Sequence, residues 1–316
     1  MKFDLKEWTG EDDVISEELR DQIVAAIDAD SIESFPDVIN INSQMTNTHD
    51  KYITETTTVL TYAAQMGSKE MVQHLILLGA NVNASNLDGH GPLDAALSHN
   101  RLEIVDVLLT NGADTTYLCQ GGKTVRSYLC RFANHTSLEC IERLLKHITD
   151  NGLLESHDMV EVAKAAISTA ANFALILRHI DGNVALNDLL QLAVDRDSDQ
   201  VCTLLLKKID AIHDKFKFDK EYYPLIFYTI SRGSHKALAA LYLSGRFSFN
   251  EIIKFTLVHS EVNRSPLIWA IDKGKTQCAL YLCSLPNIDV NLSILDSFRS
   301  HNPLYYAVSK QQAVFF

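Results

Sequence analysis

The segment Thr58-Val-Leu-Thr-Tyr-Ala-Ala-Gln-Met-Gly67 recurs in modified form 33 residues later as Gly91-Pro-Leu-Asp-Ala-Ala-Leu-Ser-His-Asn100. The similarity continues without a gap, because residues 69–83 align with residues 102–116. A fixed period of this length is typical of proteins that are built from stacked copies of one small structural unit. The period therefore predicts a repeat architecture.

The ends of the predicted helices carry residues suited to those positions. Thr58 can accept a hydrogen bond from a backbone N–H of the first helical turn, and Pro92 fits the first turn of the equivalent helix. Gly79 and Gly112, which are again 33 residues apart, predict left-handed caps at the end of a second helix. The Asn-Leu-Asp-Gly sequence at residues 86–89 predicts the tight turn of a hairpin between units.

The second helix of each unit carries an apolar stripe. Its apolar residues recur at positions i, i+1, i+4 and i+5, which lie on one face of a helix. They are Met71, Val72, Leu75 and Ile76 in one unit and Ile104, Val105, Leu108 and Leu109 in the next. One such unit cannot bury this face alone, so neighbouring units must stack.

This period and pattern resemble those of the ankyrin-repeat family. The resemblance covers residues 56–147 and 221–310, and it extends loosely over residues 155–208. Thr61, Asp94, Ser127 and Ile268 stand where the family usually has a His after Pro-Leu. The resemblance implies an all-α fold, an ankyrin-repeat solenoid of about seven to eight units, several of them degenerate. Short β-hairpin fingers and irregular helical inserts complete the expected fold.

The irregular spacing of the later copies predicts four segments. Residues 1–55 form an N-terminal helical cap or degenerate repeat with an insert, and residues 56–147 form regular repeats. Residues 148–220 form degenerate helical repeats or an insert, and residues 221–316 form C-terminal repeats of which the last is incomplete. Because the sequence stops where that unit's second helix should begin, we expect either an improvised cap or a fragment of a longer protein, and we favour the fragment.

Composition limits the possible partners and compartments. The formal net charge of −12 argues against nucleic acid as the main partner. Acidic residues nearly cancel the lysines of the basic and aromatic stretch 207–223, so we interpret it as a connector with an aromatic anchor rather than an RNA platform. No secretory signal and no apolar run of about 18 residues is present, so we expect no membrane insertion.

The six cysteines predict a reducing compartment. They form no CxxC pair and lie among apolar residues, as buried thiols do. We therefore expect a location in the cytoplasm or nucleus and no metal site. We also expect a monomer without a cofactor.

The resemblance also implies where a partner binds. Ankyrin arrays present their hairpin tips and the exposed positions of their first helices as one concave strip. The positions that match this strip are Glu55, Thr57, Met66, Leu87, Asp88, His90, His99, Gln120, Lys123, Arg131 and Phe132. An exposed Leu or Phe in this strip is a candidate anchor, because such residues contribute much of the binding energy of interfaces.

Catalytic chemistry has weaker support in the sequence. Cys130 with His135, and Cys119 with His90, are the pairs that could come close, and buried structural thiols explain these cysteines better. His147, His157 and His179 could in principle bind a metal, but no metal-ligand spacing supports them. We therefore expect a non-enzymatic protein-interaction module, either an adaptor or scaffold or an effector of a bacterial pathogen secreted into the host cytosol. The alternative is an enzyme with a Cys/His site in the central helices or in a domain beyond residue 316.

Overall fold

The computed structural model describes residues 15–36, 40–46, 56–85, 90–118, 125–152, 156–180, 182–218, 221–257, 260–296 and 299–309. The chain divides into two compact units, Met1–Glu155 and Ser156–Phe316. Within the described ranges the fold is mainly helical, and its short strands pair as two-stranded antiparallel hairpins. None of the helices in these ranges is long and apolar enough to span a membrane.

The first unit alternates pairs of helices with hairpins. Its helices are α1 (Glu17–Asp28), α2 (Val59–Met66), α3 (Lys69–Leu77), α4 (Pro92–Ser98), α5 (Leu102–Thr110), α6 (Tyr128–Phe132) and α7 (Leu138–Asp150), with a 3-10 turn at Ile32–Ser34. Its strands are β1 (Gln44–Thr46), β2 (Thr56–Thr58), β3 (Thr116–Leu118) and β4 (Val125–Ser127), which pair as β1–β2 and β3–β4.

The first unit is held together by stacking of equivalent helices. First helices pack on first helices (α2 on α4), and second helices pack on second helices (α3 on α5, and α5 on α7). Leu75 and Leu108 have no exposed surface, and Leu109 is buried, as the apolar stripe predicts. Ile76 differs from its prediction, because it is only half-buried at the edge of the stripe.

The predicted helix ends are confirmed. The backbone N–H of Thr61 donates to Thr58 Oγ1 (3.1 Å), so Thr58 caps α2, and Pro92 is the first residue of α4. Gly79 and Gly112 have φ angles of +93° and +83°, a left-handed conformation that disfavours residues with a β-carbon.

Left-handed Asn and Asp residues join successive repeats in a way that the sequence analysis did not predict. Asp30, Asn100 and Asp197 have φ angles near +50° at the turn between a first and a second helix. Asn100 Oδ1 accepts hydrogen bonds from Thr136 Oγ1 (2.8 Å) and from the backbone N–H of Ser137 (2.5 Å), at the start of α7 in the next repeat. Each such side chain therefore helps to start a helix that belongs to its neighbour.

Asparagine side chains also connect successive repeats near the hairpins. Each donates one hydrogen bond from its amide nitrogen and accepts one at its amide oxygen, and we call this pair of hydrogen bonds an asparagine bracket. Asn83 Nδ2 donates to the carbonyl oxygen of Gly112 (3.2 Å), and Asn83 Oδ1 accepts from the backbone N–H of Asp114 (2.8 Å). Asn42 makes the same pair of contacts with Gly79 and Asn81. These brackets satisfy backbone groups at the end of the second helix of the following repeat.

The second unit has nine described helices and three described hairpins. The helices are α8 (Ser156–Ala165), α9 (Ala170–Leu177), α10 (Asn183–Asp195), α11 (Asp199–Lys208), α12 (Leu225–Arg232), α13 (His235–Leu243), α14 (Pro266–Asp272), α15 (Thr276–Ser284) and α16 (Pro303–Ser309), with a 3-10 turn at Ala166–Ser168. The hairpins are β5 (Phe216–Phe218) with β6 (Glu221–Tyr223), β7 (Ile253–Leu257) with β8 (Ser260–Arg264), and β9 (Ile294–Asp296) with β10 (Arg299–His301).

Aromatic side chains form the core beside two of these hairpins. Phe227 and Trp269 are buried and contact Phe255 of β7, with ring centroids 4.7 and 5.6 Å from that ring. In the stretch 207–223, Phe216 and Tyr223 are buried, whereas Tyr222 is 50% exposed. The buried rings support the interpretation of this stretch as an anchored connector.

One expectation about the cysteines is wrong. Cys140, Cys202 and Cys278 are buried as expected, but Cys283 is exposed. Cys283 follows the fully buried Leu282 on α15, so the helical rotation of about 100° per residue directs it away from the core. Cys119 lies outside the described residues.

Candidate protein-binding surface

Six of the eleven predicted partner-binding residues are described by the structure. They are Thr57, Met66, His90, His99, Arg131 and Phe132, whereas Glu55, Leu87, Asp88, Gln120 and Lys123 lie outside the described residues. All six belong to the first unit, and they lie on hairpin strands, at the ends of first helices or directly beside those helices.

Met66 and His99 occupy equivalent positions in adjacent repeats. Met66 ends α2 and is 45% exposed, and His99 directly follows α4 and is also exposed. His99 Nδ1 lies 3.0 Å from the carbonyl oxygen of Ala95, which holds the ring against its own helix. Because α2 packs on α4, these two exposed side chains belong to neighbouring layers of one surface.

Arg131 is held by a polar cluster between two repeats. Its Nη1 lies 3.0 Å from Asp94 Oδ2, and its Nη2 lies 2.8 Å from His90 Nε2. Asp94 is on α4 and is only 4% exposed, whereas the side chain of Arg131, on α6, is 29% exposed. The guanidinium therefore ties α6 to the preceding repeat while part of its side chain remains accessible.

The buried carboxyl of Asp94 carries the electrostatic cost of this cluster. Burial raises the pKa of Asp94, and the nearby charge of the Arg131 guanidinium acts in the opposite direction. The Tyr128 hydroxyl also hydrogen-bonds to Asp94, and burial raises the pKa of Tyr128 well above its ordinary value of 10.0. A buried carboxylate that is paired in this way adds little net stability, because the free-energy cost of burying the charge offsets the attraction between the charges.

One residue of this cluster, Asp94, is already unusual in the sequence, and the repeat pattern does not account for it. Asp94 stands where the family usually has a His, and it is the only acidic residue in an otherwise small and apolar helix, Pro92–Ser98. An acidic residue at a buried helical position requires a partner. The partner lies 37 positions later in the chain, which spacing alone does not reveal.

The prediction that Phe132 is an exposed anchor is wrong. Phe132 is buried, with 6% of its surface exposed. Its ring stacks on Tyr128 with centroids 6.0 Å apart, and the Arg131 guanidinium carbon lies 5.6 Å from its centroid. Phe132 is therefore part of the packing beneath Arg131 and is not available to a partner.

Two buried thiols have the opposite character to catalytic nucleophiles. Burial raises the pKa of Cys202 from 9.0 to about 12 and that of Cys278 to about 11, with the nearby Asp197 adding to both shifts. A reactive cysteine needs a lowered pKa, because the thiolate is the nucleophile. These two residues are therefore structural, as predicted.

Neither the sequence spacing of His147, His157 and His179 nor the described part of the structure indicates a metal site at these histidines. Within the described part of the chain, no group of three or more His, Cys, Asp or Glu side chains is arranged to hold a metal ion. His147 borders an open groove of about 540 Å³ between α5 and α7. The groove is lined by Asp106, Leu109, Thr110, Glu139, Glu142, Arg143, Lys146, His147 and Asp150. Its lining includes no cysteine and therefore provides no Cys–His pair.

The comparisons with known proteins agree with this architecture. Residues 23–119 match the family model "Ankyrin repeats" in three copies. Residues 23–119 are therefore similar to ankyrin repeats. The putative ankyrin repeat protein FPV219 of Fowlpox virus (strain NVSL) is 35% identical over 85 residues, which are 27% of this chain and 19% of that protein. The matched part thus spans about a fifth of that relative's length.

A solved ankyrin-repeat structure is also similar. The crystal structure of the human ASB11 ankyrin repeat domain has a TM-score of 0.44 and 19% sequence identity, covering 66% of this chain and 89% of that chain. The family match begins at residue 23, which lies within α1. The matched ankyrin repeats therefore include residues before the regular 33-residue period.

Proposed function

We propose that this chain is a protein-interaction module that binds a partner through the first unit's exposed strip. The described residues of this strip are Thr57, Met66, His90, His99 and Arg131. Ankyrin repeats are generally protein–protein interaction modules, and the match at residues 23–119 covers most of these positions. On the family resemblance alone, the proposal also includes Glu55, Leu87, Asp88, Gln120 and Lys123.

The observation that carries the proposal is the repeated exposure of equivalent positions. Met66 and His99 extend outward from α2 and α4, whereas most other side chains of those helices are buried. Arg131 adds a cation that Asp94 and His90 already orient, which lowers the entropy cost of binding. The apolar side chain of Met66, the imidazole of His99 and the guanidinium of Arg131 form a mixture that is typical of a non-obligate interface.

We further propose the biological setting that the sequence analysis favours. The module acts as a monomeric adaptor or scaffold in the cytoplasm or nucleus, or as an effector that a pathogen delivers into the host cytosol. The buried thiols at positions 140, 202 and 278 support a reducing compartment. The proposed role needs no catalytic residue, metal or cofactor.

Affinity capture with quantitative mass spectrometry tests the proposed surface. The bait is the full chain, either unchanged, with Met66→Ala and His99→Ala together, or with Gln73→Ala and Leu77→Ala together. Gln73 and Leu77 are exposed on α3, a second helix, so the last variant is a matched control outside the strip. We expect the first variant to lose a partner that the control retains, with a loss of about tenfold or more in recovery.

Two outcomes contradict the proposal. If both variants retain the same partners at wild-type recovery, the strip is not the binding surface. If the control loses the partner and the strip variant retains it, the partner binds the opposite face. Circular dichroism of each variant establishes that the fold is intact.

A further inference from the structure

The acidic character of the chain lies entirely in its first unit. Residues 1–155 contain 24 acidic and 11 basic residues, whereas residues 156–316 contain 16 acidic and 17 basic residues. The end of the second unit is basic, because residues 224–316 contain five acidic and nine basic residues. The net charge of −12 therefore conceals a region with the opposite sign.

Four of these nine basic residues, together with His235, lie beside two neighbouring turns. Arg232 ends α12, and His235 and Lys236 begin α13, on either side of the turn at residues 233–234, whereas Lys273 and Lys275 lie in the loop between α14 and α15. We name these five residues the basic loop edge. The loops are in contact, because a β-carbon added to Gly233 would lie 3.6 Å from Lys275 Cδ and 3.8 Å from Lys275 Nζ.

Aromatic rings orient two of the exposed cations. The guanidinium carbon of Arg232 lies 5.2 Å from the ring centroid of Phe218, and Lys273 Nζ lies 4.4 Å from that of Trp269. The face of an aromatic ring attracts a cation, so each charged group has a preferred position before any partner arrives. A preoriented cation loses less entropy on binding than a freely moving one.

Nearby acidic residues limit the kind of anion that fits. Asp195 accepts from Arg232 Nε (2.8 Å) and from the Tyr228 hydroxyl (2.5 Å). Asp197 Oδ1 accepts hydrogen bonds from the backbone N–H groups of Lys236 and Ala237, so these donors at the start of α13 are already occupied. Asp195, Asp197 and the neighbouring Asp272 would repel a long polyanion such as nucleic acid, which requires a continuous basic stripe. A short acidic segment needs only the cations themselves.

We propose that the basic loop edge binds a short acidic segment of a partner protein. Arg232 and Lys273 are equivalent residues of adjacent repeats, directly before Gly233 and Gly274, whose φ angles are +82° and +65°. Stacked helices lie about 8–10 Å apart. A segment in the polyproline II conformation has three residues per turn, so residues i and i+3 lie on the same face, about 9 Å apart. The matching segment therefore adopts this conformation and carries acidic side chains at positions i and i+3. This surface consists of other residues than the strip of the proposed function and does not depend on it.

Fluorescence anisotropy with a defined peptide tests this proposal. The probe is a fluorescein-labelled peptide of four Glu-Ser-Gly repeats, and its control has Gln in place of Glu. Both are titrated with the full chain in low-salt buffer, where exposed charges are least screened. We expect the Glu peptide to bind at least about tenfold more tightly than the Gln peptide, and added salt to weaken it.

Matched charge variants locate the binding. The edge variant combines Lys236→Gln, Lys273→Gln and Lys275→Gln, and the control variant combines Lys207→Gln, Lys215→Gln and Lys217→Gln. Both remove three lysines from the second unit, and the control lysines are exposed and lie elsewhere in the sequence. We expect about a tenfold loss of Glu-peptide affinity for the edge variant and less than about a twofold loss for the control.

Equal losses in both variants would show that only overall charge matters, and the proposal would be wrong. The partner class would be wrong if a single-stranded oligonucleotide of the same charge displaced the Glu peptide at a lower concentration than unlabelled Glu peptide does. The Met66→Ala and His99→Ala variant should bind the Glu peptide as the wild type does. Failure of the proposed function and failure of this inference are thus separate results.

Discussion

Replacement of Leu108 by alanine tests the stacking of the repeats. Leu108 has no exposed surface, and its helix α5 packs against both α3 and α7. The change removes three carbon atoms, and at about 0.8 kcal/mol for each buried CH₂ the transfer free energy alone is about 2.4 kcal/mol. Because packing on both sides restricts relaxation into the cavity, we expect the free energy of unfolding to fall by about 3–5 kcal/mol.

Urea unfolding of the full chain, followed by far-ultraviolet circular dichroism, measures this loss. The matched control is Leu77→Ala, because Leu77 lies on the equivalent second helix α3 but is 85% exposed. The control should change the free energy of unfolding by less than about 0.5 kcal/mol. A loss below about 1 kcal/mol for Leu108→Ala, or equal losses for the two variants, would show that α5 does not lie between two packed layers.

Three further predictions concern the helix cap that Asn100 provides, the reactivity of the thiols and the dependence of stability on pH. Asn100→Ala should lower the free energy of unfolding by about 1–3 kcal/mol, because it removes the hydrogen bond to Ser137 and places a residue with a β-carbon at φ +53°. Asn100→Gly also removes the hydrogen bond but tolerates this φ angle, so it should lower the free energy of unfolding by less. Equal losses for the two variants in urea unfolding would show that backbone strain contributes nothing. Iodoacetamide should label Cys283 in the native chain before Cys202 and Cys278, as peptide mass spectrometry can determine, and faster labelling of either buried thiol would contradict the assigned burial. Burial raises the folded-state pKa of Cys202 from 9.0 to about 12 and that of Cys278 to about 11. Their contribution to stability is therefore complete below pH 9.0 and is lost as the pH rises toward 11–12. Urea unfolding midpoints measured across this pH range should fall accordingly.

The regular repeats could be predicted because their determinants are local. The cap at Thr58, the proline that begins α4 and the left-handed Gly79 and Gly112 each depend on a few neighbouring residues. The period of 33 residues then places these local features in register, so stacking follows from the need to bury the apolar stripes.

The candidate surface was less predictable because side-chain direction depends on tertiary contacts. Phe132 and Arg131 are adjacent in a helix of five residues, and the sequence assigned both to the exposed strip. The position of Asp94, 37 residues earlier, draws Arg131 across the surface and leaves Phe132 beneath it. The connection at Asn100 likewise joins residues 37 positions apart, and no local pattern indicates such a pair.

The dependence of one repeat's helix start on its predecessor has a consequence for recombination. Asn100 belongs to one repeat and Ser137 to the next, and Asp197 and Lys236 are related in the same way. A segment that is cut at the turn between a first and a second helix begins with that second helix. The side chain that accepts hydrogen bonds from the start of this helix then stays behind in the preceding repeat. Chimeric arrays made from this chain should therefore transfer at least two consecutive repeats, so that the second helix of the trailing repeat keeps its native acceptor.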